Sequence, residues 1–193
     1  MPTLYFVRHA KPAASWGEDP DPGLDPTGHE QADATAKSLA QRAAGLPILT
    51  SPMRRCRETA QPLEARWSST AALFSAVAEI PSPPLPLGER HKWLIAAMAG
   101  TWQEMQASAP PQSPDFLSWR DDLLAAVQRI PEDAVLFSHF IAINAIVGAA
   151  RGMDDVVCFR PDHASVTVVD TSSGAFRIVE LGREAVTSVL TRG

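Results

Sequence analysis

Arg8-His9 follows directly on the short apolar, β-prone run Leu4-Tyr5-Phe6-Val7, and Pro12 turns the chain soon after. A strand ending in this pair presents a fixed cation and an imidazole to one spot. The combination suits a phosphoryl group: a guanidinium matches phosphate oxygens as a bidentate fork, and a histidine can form a covalent intermediate. A second stretch, Leu49-Thr50-Ser51-Pro52-Met53-Arg54-Arg55-Cys56-Arg57-Glu58-Thr59-Ala60, runs from a strand end straight into a helix N-terminus, where free amides and the helix dipole favour an anion. Arg54, Arg55 and Arg57 cannot all face one way on a helix. Arg55 is expected to face inward, and Arg54 and Arg57 to be wholly or partly solvated. By spacing alone the stretch reads more readily as a basic surface helix paired with Glu58 and Glu64. The third segment, Val135-Leu136-Phe137-Ser138-His139-Phe140, again delivers a histidine at the end of a buried strand.

One strand-end histidine is more often structural than functional. Two of them, with a strand-end arginine and a basic helix start, form a constellation if the strands run parallel. The chain supports that. Its 17 prolines cluster at 20–26, 81–86 and 110–114, which read as loops. Between them the pattern alternates. Strands are expected at 4–7, 48–50, 71–77 and 134–138. Helices are expected from Asp25-Pro26 to about 44, from Ser51-Pro52 to about 67, over 88–106, from Ser113-Pro114 to about 129, and from 140 to 150. Residues 165–170 and 175–181 flank Ser172-Ser173-Gly174, a hairpin signature. Alternating strands and helices imply an α/β fold, a three-layer α/β/α sandwich with a mostly parallel sheet and an antiparallel edge. Parallel strands bring their C-terminal ends to one edge, where ligands collect.

Length and composition narrow the classes further. At 193 residues the chain fits one domain, 1–193, with no internal repeat or interdomain linker. A net charge of −5 argues against a nucleic-acid partner and for a focused basic pocket taking a small anionic substrate. Cys56 and Cys158 supply neither a disulfide framework nor a metal-ligand spacing. No charged-then-apolar leader precedes Leu4 and no apolar run approaches ~18 residues, so a cytoplasmic protein without a membrane partner is expected.

At this point the sequence resembles the histidine phosphatase superfamily, also called phosphoglycerate-mutase-like, over nearly the whole chain. Four ordered blocks carry the resemblance: Arg8-His9-Ala10 after a strand, Leu24-Asp25-Pro26-Thr27-Gly28-His29-Glu30-Gln31-Ala32, the segment from Ser51 to Ala60, and Ser138-His139. The resemblance implies that His9 is the phosphorylated nucleophile and that Arg8, Arg55 and His139 hold the phosphoryl oxygens. Glu79, after the third strand and before a proline-rich loop, best matches the family's general acid and base. Neutral His9 would attack phosphorus while Arg8, Arg55 and a protonated His139 offset charge on the oxygens. Phosphoryl transfer needs mainly positioning and charge stabilisation, so neither a metal nor another cofactor is expected.

The departures from the family pattern bear on the substrate. Ala10 replaces the usual glycine, Lys11 stands where mutases and many relatives carry glutamate, and Phe140 follows His139 where glycine is common. No convincing match to the Glu-Arg-His-Tyr-Gly segment of the mutases is present; Gly88-Glu89-Arg90-His91 resembles it only superficially. The expected activity is therefore hydrolysis of a phosphomonoester. The alternatives are a phosphomutase, a regulatory module that binds phosphate without turnover, and a phosphatase acting on phosphohistidine proteins. Lys11, Ser15, Phe140 and His163 are the further candidates for substrate contact. Trp16, Trp93 and Trp102 read as core or pocket lining, His29 as solvated, and His91 as either substrate-facing or solvated.

Overall fold

In the computed structural model, which describes residues 2–14, 18–171 and 173–185, six strands form one sheet in the order β3-β2-β4-β1-β5-β6. In chain order the elements are β1 (Thr3–Arg8), α1 (Pro26–Arg42), β2 (Ile48–Thr50), α2 (Arg54–Trp67), β3 (Ala72–Leu73), α3 (Leu87–Ala97), α4 (Trp102–Ala107), α5 (Phe116–Gln128), β4 (Ala134–Ser138), α6 (Phe140–Arg151), β5 (Val166–Asp170) and β6 (Arg177–Glu180). β1, β2, β3 and β4 are mutually parallel, whereas β5 pairs antiparallel with both β1 and β6. The antiparallel edge expected from the hairpin is thus two strands wide.

Alternation along the strands sorts the helices into two layers. Leu4 and Phe6 of β1 and Ala134 and Leu136 of β4 pack with Phe116, Leu123 and Ile146 from α5 and α6. Val7, Val135 and Phe137 point to the other face, against Ala36 and Leu39 of α1 and Cys56, Ala60 and Leu63 of α2. Successive side chains of a strand face opposite ways, so a strand buried on both faces must be apolar throughout. All five residues of β4 are buried.

Register builds the site edge. Arg8 pairs with Ser138 and Thr50 with Phe137, so the residues that follow, His9, His139 and Ser51, leave three neighbouring strand ends together.

Four local expectations need correction. The third strand is not 71–77: only Ala72 and Leu73 pair with β2, both are exposed at the sheet edge, and Ser75–Val77 form a 3-10 turn that buries Val77. The 88–106 helix is two helices. Thr101 starts α4 with a capping box in which its side chain and Glu104 satisfy each other's backbone amides. The Ser51-Pro52 start is displaced to Arg54, because Ser51 is taken up by Met53 N and His139 instead of capping the helix. Likewise α5 starts at Phe116, capped by Asp115 accepting from Ser118 N. Asp25, by contrast, caps α1 through Gly28 N at 2.6 Å. Gly28 itself leaves no room for a side chain, since a Cβ there would meet the Lys11 carbonyl at 2.2 Å. Among the described residues no helix is long and apolar enough to cross a membrane.

Candidate active site

His9 lies at the base of a cleft of about 370 Å³ at the C-terminal edge of the parallel strands, with Arg8, Arg55, Glu79 and His163 on its walls. The loop carrying it is held from three sides. His9 N donates to Ser138 O at 2.9 Å, Ala10 N donates to Thr59 Oγ1 at 3.0 Å, and Leu24 N donates to the Glu58 carboxylate at 2.7 Å. Thr59 and Glu58 both belong to α2. That helix therefore serves the site with Arg55 and the loop with its next turn.

Hydrogen bonding decides the tautomer of each histidine. His9 Nδ1 lies 2.9 Å from Ala10 O, an acceptor only, so Nδ1 carries the proton and Nε2 keeps its lone pair. His139 Nδ1 lies 3.1 Å from Arg55 Nη2, a donor only, so Nδ1 accepts and Nε2 donates to Ser51 Oγ at 2.7 Å. His163 Nε2 accepts from Arg8 Nη2 at 3.1 Å, while Arg8 Nη1 donates to Pro161 O at 2.8 Å.

Charge follows burial. Burial, with His139, Arg55 and Arg8 as nearby positive or proton-accepting groups, holds His9 well below the usual histidine range. Burial and then Arg55 and Arg8 do the same for His139. The protonated His139 expected from the sequence is thereby corrected: between a guanidinium and a buried strand end the ring is neutral. Burial pushes His163 down to about 4, with Arg8 acting in the same direction. Burial also lowers Arg8 to about 10 against the pull of Glu79 and Asp162, which leaves it a cation at neutral pH.

Glu79 hangs from the segment after the 3-10 turn. Ser138 Oγ, itself at the end of β4, donates to Val77 O at 2.8 Å and pins that turn to the site edge. The carboxylate accepts from Ile80 N at 3.0 Å and from Ile141 N, in the first turn of α6, at 3.4 Å. Burial raises its pKa above the usual carboxylate range, opposed by these amides and by Arg55 and Arg8. A carboxyl kept protonated nearer neutrality is suited to acid–base work. A smaller space of about 210 Å³ on the far side of Glu79 and Arg55 is lined by Asp19, Ser82 and Arg90.

The model of the histidine phosphatase superfamily, branch 1, matches residues 4–184. The chain belongs to this superfamily. Bacillus stearothermophilus YhfR superposes with a TM-score of 0.79 at 20% identity, over 96% of this chain and 98% of that one. A mycobacterial glucosyl-3-phosphoglycerate phosphatase in complex with inorganic phosphate superposes at 0.72 with 22% identity, over 97% and 100%. At these identities the likeness is one of fold. No curated protein matches the sequence.

Of the four arginines of α2, the three in its first two turns separate as their spacing requires. Arg55 is 3% exposed and faces the site, whereas Arg54 pairs with Glu58 at the surface and Arg57 is exposed. Phe140 lines the cleft, and the Arg8 guanidinium carbon lies 5.0 Å from its ring centroid. His163 also lines it, with its ring centroid 5.8 Å from that of His9. Lys11 does not: its ammonium pairs with Asp25 at 2.7 Å, away from the lining. Ser15 and Trp16 lie outside the described residues. Trp93 packs on Phe116 and Trp102 on Trp119, so both serve the core. His29 is exposed, and His91 reaches the cleft.

Ser51, Thr59 and Arg160 are site residues that the sequence reading did not single out. Ser51 carried a signal, since it follows a strand end as directly as His9 and His139 do. Thr59 and Arg160 carried none, because their contacts are made with distant segments.

Proposed function

We propose that this histidine phosphatase superfamily member is a phosphatase that hydrolyses a phosphomonoester through a phosphohistidine on His9. The observation that carries the reading is the His9 tautomer. Nδ1 is occupied by the Ala10 carbonyl, and Nε2 is left as the nucleophilic atom beside Arg8 and Arg55.

In the first step the Nε2 lone pair forms a bond to phosphorus as the ester P–O bond breaks, and protonated Glu79 gives its proton to the departing oxygen. In the second, Glu79 takes a proton from water, the water oxygen bonds to phosphorus, and the P–N electron pair returns to His9. Arg8 and Arg55 offset charge on the phosphoryl oxygens throughout, and neutral His139, which accepts from Arg55 Nη2 and donates to Ser51 Oγ, holds the Arg55 guanidinium in place. Preorganised charges of this kind supply most of what phosphoryl transfer requires.

His9→Ala tests the reading: phosphate release from a phosphomonoester should vanish while the variant stays folded. Accumulation of an acid-labile, base-stable phosphoprotein in the wild type separates turnover from mere binding. Isomerised rather than hydrolysed product would instead mark a mutase. Dephosphorylation of a phosphohistidine protein in preference to small esters would place the substrate on a macromolecule.

A further inference from the structure

The cleft changes character from its base to its mouth. The base is polar, with Arg8, His9, Arg55, Glu79 and His163. The apolar part of the lining is formed by Phe140 and Ile141 at the start of α6, by Leu94 of α3 and by Met98, the residue that caps the end of α3. Leu94 and Met98 are four residues apart and share one helix face. Both are half-buried, packing on the core with one side and lining the cleft with the other. Among the described lining residues, the polar side chains of the upper cleft are His91 and Arg160, and both are exposed.

A hydroxylated or charged leaving group seated against that wall would give up hydrogen bonds to water without replacement, which is costly. An apolar one would exchange water for carbon contacts and gain from the transfer. Phe140 adds to this by covering Arg8, so the wall begins one residue beyond His139.

We propose that the site takes phosphomonoesters whose leaving group is an uncharged apolar alcohol or phenol, an aryl or branched alkyl group seated between Leu94, Met98, Phe140 and Ile141. The inference rests on the phosphoryl-transfer reading above for the identity of the group at the cleft base. It concerns the wall, which that reading does not use.

Two pairs of ligands test it on the full chain. Benzylphosphonate and 2,3-dihydroxypropylphosphonate, which are not hydrolysed, are compared by calorimetry. Benzyl phosphate and glycerol 1-phosphate, both with unactivated alcohol leaving groups, are compared by kcat/KM. The benzyl member should be preferred by at least about tenfold in each pair, the discrimination that apolar contacts ordinarily provide. Met98→Asp and Leu94→Asp, with folding checked by circular dichroism and melting, should bring both ratios towards one. If these variants do not fold, Met98→Gln serves in their place. Wild-type ratios near one or inverted, or ratios unmoved in folded variants, would overturn the proposal. Preferred binding of benzylphosphonate without turnover of either ester would overturn the phosphatase reading instead. Neither binding nor turnover would overturn both.

Discussion

The imidazoles of His9 and His139 meet edge to face, with ring centroids 5.3 Å apart and 61° between their planes. Both are neutral, and both have their tautomer set by a group that can only donate or only accept. The sheet places them so: Arg8 and Ser138 are register partners in parallel strands, and each histidine is the next residue. The positive charge of the site therefore resides in Arg8 and Arg55, with His9 Nε2 left to form a bond and His139 committed to Arg55 and Ser51.

The nucleophile has a direct test. His9→Ala should reduce hydrolysis of 4-nitrophenyl phosphate to background, with circular dichroism and melting behaviour retained. Denaturing gels after labelled substrate should show phosphorylated wild type and unlabelled variant. Activity close to wild type in a folded variant would remove His9 from the role.

Arg55→Ala should lower kcat/KM by about 10²–10³-fold, as expected for removing a preorganised charge contact to the reacting group. Arg54→Ala and Arg57→Ala should stay within a few-fold, because exposed charges and their ion pairs contribute little. Steady-state kinetics on the three variants decides it. Equal losses would mean that the helix presents a different face to phosphate.

Glu79 predicts one limb of a pH profile. Its carboxyl is raised by burial and must be protonated to act as the acid, so kcat/KM should fall as pH rises through its pKa. His9 is depressed and must be neutral to attack, so activity should also fall at the acid end, well below the usual histidine range. Glu79→Gln should abolish the alkaline limb and lower the maximum by about 10²–10⁴-fold. An unchanged profile would assign acid catalysis to another group.

The same histidines couple folding to pH. His9, His139 and His163 all have folded pKa values below the unfolded value of 6.5. In the window below 6.5 the unfolded chain binds more protons than the folded one, so stability falls as pH falls. For His163 that window closes near its folded value of about 4. Thermal melts between pH 7.5 and roughly 5 should show a declining Tm, and His163→Gln should flatten the slope.

Thr59 offers a stability test at the edge of the site. Its hydroxyl accepts from the buried Ala10 N and donates to Arg55 O at 2.6 Å. Thr59→Val keeps the shape and leaves Ala10 N without a partner, which should cost about 1–3 kcal/mol in urea unfolding. A change below about 0.5 kcal/mol would mean that the His9 loop is held by its other contacts alone.

What could be read without coordinates was the chemistry that local pattern encodes. β4 announces itself because a strand buried on both faces has to be apolar throughout. Arg8, His9 and His139 stand out because they break apolar runs at their ends. Arg55 separates from Arg54 and Arg57 because a helix gives each a different direction. Asp25 capped its helix as its type and position required, through a hydrogen bond made within three residues. The third strand and the 88–106 helix depart from the local pattern where pairing at a sheet edge, or a cap competing with apolar spacing, outweighs local propensity.

Other features arise only when distant segments meet. The neutrality of His139 depends on Arg55 and on burial beneath three strand ends. Lys11 looked like an added cation in the pocket, yet Asp25 holds it elsewhere. Glu79 gains its raised pKa from burial, against the amides of Ile80 and Ile141 and the charges of Arg55 and Arg8. Sequence by itself determined which atoms are available for phosphoryl chemistry and the edge at which they gather, because side-chain type and strand periodicity are local properties. Tertiary structure alone decided their protonation states, their tautomers and the apolar wall above them, because desolvation and hydrogen-bond partnering depend on what the rest of the chain brings within a few ångströms.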